Sequence, residues 1–209
     1  QQYMPATVHT TLPDGGDLRL KIETDYPYSS EVLIRVTEAP QQPWTLSLRI
    51  PQWAVGASME SPDGGHQQVQ PGYAEVPGSL RAGQTVRLQL PVGPRWTVAD
   101  ERIDAVRGQV AVECGPLVMA LESVDLVEAA SAAEADVSCA LADTRWPLRQ
   151  QDGRTLLPVR LTSHTEEPWP YRSRPPQSVH TEGQPQYVPL IPYHHWANRG
   201  PSTMRVWIP

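Results

Sequence analysis

The segment from Tyr187 to Pro209, "YVPLIPYHHWANRGPSTMRVWIP", holds the densest group of side chains able to do chemistry, with His194, His195, Trp196, Asn198 and Arg199 inside six consecutive residues. Imidazoles move protons or ligate metals, a guanidinium grips carboxylates, and an indole face stacks on the apolar side of a sugar ring. Spacing narrows these options. Adjacent histidines on a strand point to opposite faces; a two-histidine metal face needs i, i+2 on a strand or i, i+4 on a helix, so no protein-built metal site is expected. "PYHHWANRG" reads first as a packing and turn motif: Pro192 starts a bend, Trp196 packs inward, and Asn198 with Gly200 suits a turn needing positive φ. Arg199 is then placed to pair with a buried or interface acid. The second reading turns His194, His195 or Arg199 toward another domain or subunit.

Other chemistry is sparser. Glycoside hydrolysis needs two carboxyl groups roughly 5 to 10 Å apart. Glu113 and Glu122 lie near strand-like segments and Asp100, Glu101 and Asp104 in a charged connector, but nothing in the sequence brings two of them together. The two cysteines, Cys114 and Cys139, are expected to be reduced structural thiols, Cys114 at the end of a strand in "VECGPL". No phosphate loop, dinucleotide fingerprint or Gly-x-Ser-x-Gly elbow is present. Seven tryptophans and no phenylalanine suggest that indole fills the core here. Trp44 and Trp53 flank "LSLRIPQWA", whereas Trp169 and Tyr171 sit in a proline-rich stretch where an aromatic platform for sugar is the competing reading.

The elements that must position these residues are strands. "DLRLKIET" alternates Leu18, Leu20 and Ile22 with charged residues, "EVLIRVTE" does the same with Val32, Ile34 and Val36, and "WTLSLRIP" with Trp44, Leu46, Leu48 and Ile50. Period two is the signature of a strand with one buried face. "SPDGG" marks a hairpin turn, and a strongly alternating strand follows through Val86, Leu88 and Leu90. "QVAVECGPLVMALESVDL" is two apolar runs broken at Gly115-Pro116, the alanine-rich stretch after it is a short helix or a loop, and "RTLLPVRLTS" is a further strand. The expectation is an all-β chain of two consecutive antiparallel β-sandwich domains, residues 1–104 and 105–209, with the boundary in the charged stretch "RWTVADERIDAVRG".

Bulk properties agree. With 209 residues the chain can bury a core in each of two small domains. Its 23 prolines and 14 glycines are incompatible with long helices. A net charge of −6 and no lysine or arginine cluster argue against nucleic acid as a partner. No apolar run approaches the roughly 20 residues that cross a bilayer, so no membrane partner is expected.

Three stretches, "LSLRIPQWA", "VAVECGPLVMALESVDL" and "IPYHHWANRGPSTMRVWI", resemble in order and spacing the C-terminal part of glycoside hydrolase family 127, the β-L-arabinofuranosidase-like family. "IETDYPYSSEVLIRV" and "GYAEVPGSLRAGQTVRLQLPV" are similar too, so the resemblance spans nearly the whole chain. It implies an N-terminal catalytic (α/α)6 barrel followed by two β-sandwiches, with residues 1–12 the exit from a barrel not included in this sequence. It also implies a zinc-held cysteine nucleophile and a glutamate acid/base in that barrel. Cys114 and Cys139 match none of those motifs, so no catalytic residue, metal ligand or cofactor is assigned to this chain. The resemblance thus implies an accessory, non-catalytic region. Its expected partners are the barrel, a second copy of the chain through one sandwich, and an oligosaccharide. His194, His195, Trp196, Arg199 and Trp169 are the candidate contacts, and an independent carbohydrate-binding module using exposed Trp and Tyr is the alternative.

Overall fold

The structure is a computed structural model and describes residues 3–13, 15–130, 136–162 and 183–209. Chain contacts divide it into two compact units, Gln1–Val92 and Gly93–Pro209, each built of antiparallel strands.

In the first unit, β1 (Ala6–Thr11), β2 (Asp17–Thr24), β3 (Glu31–Glu38), β5 (Ser58–Glu60), β6 (His66–Gln68) and β8 (Thr85–Gln89) form a six-stranded sheet in the order β1-β2-β3-β8-β5-β6. β4 (Ser47–Ile50) and β7 (Gly72–Glu75) form a separate two-stranded sheet. The expected alternation is realised: Leu18, Leu20 and Ile22 of β2, Val32, Ile34 and Val36 of β3, and Val86 and Leu88 of β8 enter one core with Leu48 and Ile50 of β4. Burying each such side chain contributes roughly 1.5–3 kcal/mol, which makes the register of every strand costly to slip. Trp44 and Trp53 pack half-buried against this core, and the Trp44 indole donates to the Leu80 carbonyl at 3.0 Å.

Among the described residues the second unit holds β9 (Pro94–Val98), β10 (Val110–Cys114), β11 (Leu117–Glu122), β12 (Ala140–Ala142), β13 (Arg149–Gln151), β14 (Arg154–Leu161), β15 (Gln186–Pro192) and β16 (Met204–Arg205), with one α-helix, α1 (Ser123–Ala130). The ladder runs β12-β14-β15-β11-β10-β9, with β13 added to β14 and β16 to β11. β11 changes partner along its length: Leu117 and Val118 pair with β10, Met119 and Ala120 with β15, Leu121 and Glu122 with β16. It is therefore the strand around which the unit's core of Val112, Leu121, Leu126, Leu157, Val188 and Ile208 assembles.

The division at Val92/Gly93 departs from the boundary expected at 104/105. The cause is "PRWTV", the start of the charged stretch, which forms β9 and pairs along its whole length with β10, from Val110↔Val98 to Cys114↔Pro94. Arg95 and Thr97 both bond Glu113 on β10, so charge on this segment serves a cross-strand network and not a solvated linker. Among the described residues no helix is long and apolar enough to cross a membrane.

Candidate functional site

The best-built polar site lies where β15 runs into the C-terminal turn. Pro192 ends β15, and a single 3-10 turn, Tyr193–His195, follows. Ala197 then takes a left-handed backbone with φ 63° and Gly200 one with φ 115°. The left-handed residue is thus Ala197 and not the expected Asn198. The reason lies across the fold: in this conformation the Ala197 N–H donates to Glu122 Oε1 at 2.9 Å, a charge-assisted bond that offsets the strain of a non-glycine residue at positive φ.

Glu122, at the end of β11, is fully buried. Besides Ala197, the Ser202 hydroxyl donates to it at 2.8 Å, Arg199 Nε donates at 3.1 Å, and Arg199 Nη2 donates to the same Oε2. The guanidinium turns its other edge to Asp125 in the first turn of α1, at 2.8 and 2.6 Å. One arginine therefore clamps two carboxylates 74 and 77 residues away in sequence. Burial alone would raise the Glu122 carboxyl, but the Ala197 amide, Arg199 and Ser202 together outweigh it and hold the group below the usual carboxylate range. The bonds to Asp125 and Glu122 push Arg199 well above its ordinary value, against the effect of burial.

This closed cluster presents an open tip. Tyr193 is 49% and Trp196 42% exposed, and the His194 and His195 rings meet edge to face at 4.2 Å. Trp196 does not pack inward as expected. The space behind the turn is taken by Glu122, Arg199 and Ser202, a polar set that an indole could enter only by breaking it.

Several other acids are also paired. Glu113 accepts from Arg95 at 2.6 Å and Thr97 at 2.8 Å. Asp143 takes Arg145 at 2.7 and 2.8 Å and Arg160 at 2.7 Å. Bonding to Arg145 is the main reason its carboxyl is held far below the usual range; burial opposes this, and Arg160 adds to it. In the connector, Asp100 pairs with Arg102 and Asp104 with Arg107. Glu113 serves Arg95, and Glu122 and Asp125 have the Arg199 guanidinium between them, so each of these three acids is already held by an arginine.

Both cysteines are free thiols. Burial raises the Cys114 and Cys139 thiols above their ordinary value, the reverse of an activated nucleophile. Among the described residues no three His, Cys, Asp or Glu side chains come together as a metal site, so nothing described here fits a zinc ion. Trp169 and Tyr171 lie outside the described residues. Asp125, Ser202 and the Ala197 amide were not singled out from the sequence. Their partners are distant in the chain, and the one local trace was an arginine set in a turn beside "RGPS".

Comparisons with known proteins cover both units. The family model "Beta-L-arabinofuranosidase, GH127 middle domain" matches residues 1–92, and "Glycoside hydrolase family 127 C-terminal domain" matches residues 94–209. A non-reducing end β-L-arabinofuranosidase of Bifidobacterium longum subsp. longum is 28% identical over 96% of this chain and 32% of its own. Among solved structures, a glycoside hydrolase aligns over the full chain and 35% of its own at 28% identity, with a TM-score of 0.76. A GH127 β-L-arabinofuranosidase from Geobacillus stearothermophilus T6 is 25% identical over 99% of this chain and 32% of its own, with a TM-score of 0.73. The chain spans about a third of the length of these relatives.

Proposed function

Because the chain belongs to glycoside hydrolase family 127, through that family's middle and C-terminal domains, we propose that it is the non-catalytic accessory region of a β-L-arabinofuranosidase-like hydrolase and packs against the catalytic (α/α)6 barrel of such an enzyme. The observation that carries this reading is the Glu122–Arg199–Asp125 cluster. Both of its carboxylates already accept hydrogen bonds from Arg199, which suits holding a shape and not transferring protons. The shape it holds is an exposed Tyr193–Trp196 tip, and rigidly presented Tyr, Trp and Arg side chains are the residue types that anchor protein interfaces.

The test is hydrolysis of p-nitrophenyl β-L-arabinofuranoside, with zinc and reductant supplied, by two proteins. One is the 209-residue chain alone. The other is a chimera in which this chain replaces the equivalent third of the Bifidobacterium enzyme. No turnover by the chain alone and turnover by the chimera, reduced by Tyr193→Asp with Trp196→Asp, is the expected result. Turnover by the chain alone would overturn the reading.

A further inference from the structure

A second site lies on the outer face of the second unit, apart from the arginine clamp's buried side. Along β14 and β15, Thr155, Leu157, Val188 and Leu190 point into the core, while Leu156, Tyr187 and Pro189 stay half-exposed. The register Leu156↔Pro189 and Pro158↔Tyr187 sets those three side by side as an apolar floor. They line an open groove of about 610 Å³ whose polar lining includes Gln151, Asp152 and Arg154.

The groove is rigid by construction. β13 and β14 are joined by the two-residue turn Asp152-Gly153, with φ 50° and 74°, the all-positive pattern of a type I′ hairpin. That turn pairs Gln151 with Arg154 and puts amide, carboxylate and guanidinium beside the floor. The Tyr187 ring is fixed from two sides: Arg149 lies 3.8 Å over its centroid and its hydroxyl donates to the Pro147 carbonyl at 3.1 Å. A ligand there would meet a Tyr187 ring already in place, which lowers the ordering cost of binding.

The lining also selects a chemical class. Asp152 and Arg154 offset each other, and the remaining lining carboxylate, Asp125, shares Arg199 with Glu122, so the lining carries at most one net negative charge, with the Arg149 guanidinium over Tyr187 beside it. A groove with little net charge favours neither a polyanion nor a polycation. What matches an apolar floor with mixed donors and acceptors along one side is a ring with an apolar face and a hydroxyl edge. We propose that this groove is a non-catalytic saccharide-binding site taking an L-arabinose-containing glycan; the choice of sugar rests on the proposed function, the groove itself does not.

The experiment is an amide NMR titration of the whole chain with methyl β-L-arabinofuranoside, and in parallel with methyl β-D-xylopyranoside, up to roughly 50 mM, well above a millimolar Kd. Saturable shifts confined to Gln151, Asp152, Arg154, Leu156 and Tyr187 are expected with the arabinofuranoside. The double variant Gln151→Ala, Arg154→Ala should weaken them at least fivefold while leaving the Leu157 and Val188 amides in place, which reports an intact core. No saturable shift at the groove, or shifts elsewhere only, would overturn the site. Saturation by the xyloside alone would overturn the arabinose assignment. Release of free arabinose during the titration would overturn the non-catalytic reading of the chain instead, independently of where the sugar binds.

Discussion

The two units solve the same problem with different interiors. In the first, every buried side chain among the described residues is apolar, whereas Glu122, Asp143 and Thr155, the buried polar residues, all belong to the second. The first unit is thus held by alternation and area; the second adds ion clusters whose parts are worth most when complete. Apolar burial is lost in proportion to what is removed, but a buried charge left without its partner is penalised in full.

The strongest way to break this contrast is Glu122→Ala. It removes the acceptor for Ala197, Arg199 and Ser202 at once, and losing one partner of a buried ion pair costs about 3–5 kcal/mol. Hydrogen exchange read by mass spectrometry should show protection falling across β11, α1 and residues 193–205, with the first unit unchanged. Loss of protection below 1 kcal/mol would mean that the cluster is ornament and the apolar core alone sets the second unit's stability.

The same contrast governs what could be read from the sequence. β2, β3 and β8 were legible because one face of each is uniformly apolar and period two survives any detail of packing. β9 was not, since none of its residues is buried and its partner network, Arg95 and Thr97 with Glu113, is recognisable only once β10 is beside it. Arg199 was legible as a residue seeking an acid, yet nothing near it names Glu122. The Asp152-Gly153 turn carried a local hairpin signal, Asp-Gly, beside a strand, β14, whose pattern was read from Arg154 onward. Local rules reach strands with a clean face and turns of fixed type; a clamp between residues 74 or more positions apart is set by topology.

Acid sharpens the comparison with a smaller effect. Glu122 and Asp143 both have carboxyls held below their ordinary values in the folded chain. A depressed folded value means that the stabilisation is fully present above the unfolded value, about 4, and is lost as pH falls through the folded one. Between pH 7 and 5 both units should therefore hold their protection. Below about pH 4 the second unit should loosen first, while the first, whose core lacks a buried acid among its described residues, follows at lower pH. Simultaneous loss in both units, followed by exchange from pH 5 to pH 2.5, would show that the contrast in interiors has no consequence for stability.

The smallest expected effect tests whether location and not mere pairing matters. Arg87 on β8 bonds Glu31 at 2.7 Å and approaches Glu60 at 3.5 Å, spanning three strands of the first unit's sheet much as Arg199 spans two elements of the second. The two arginines are similarly exposed, but Glu31 and Glu60 are 35% and 50% exposed where Glu122 and Asp125 are 0% and 8%. Water already solvates each charge, salt screens their attraction, and holding long side chains in one geometry costs entropy, so Arg87→Ala should cost less than about 1 kcal/mol in urea unfolding. Raising the salt to 0.5 M should shrink even that difference, while the penalty of Glu122→Ala, which removes a fully buried carboxylate, should shrink less. If the two variants proved equal, the geometry of an arginine bridging two acids would be what counts, and burial would have to be dropped as the explanation for the second unit's design.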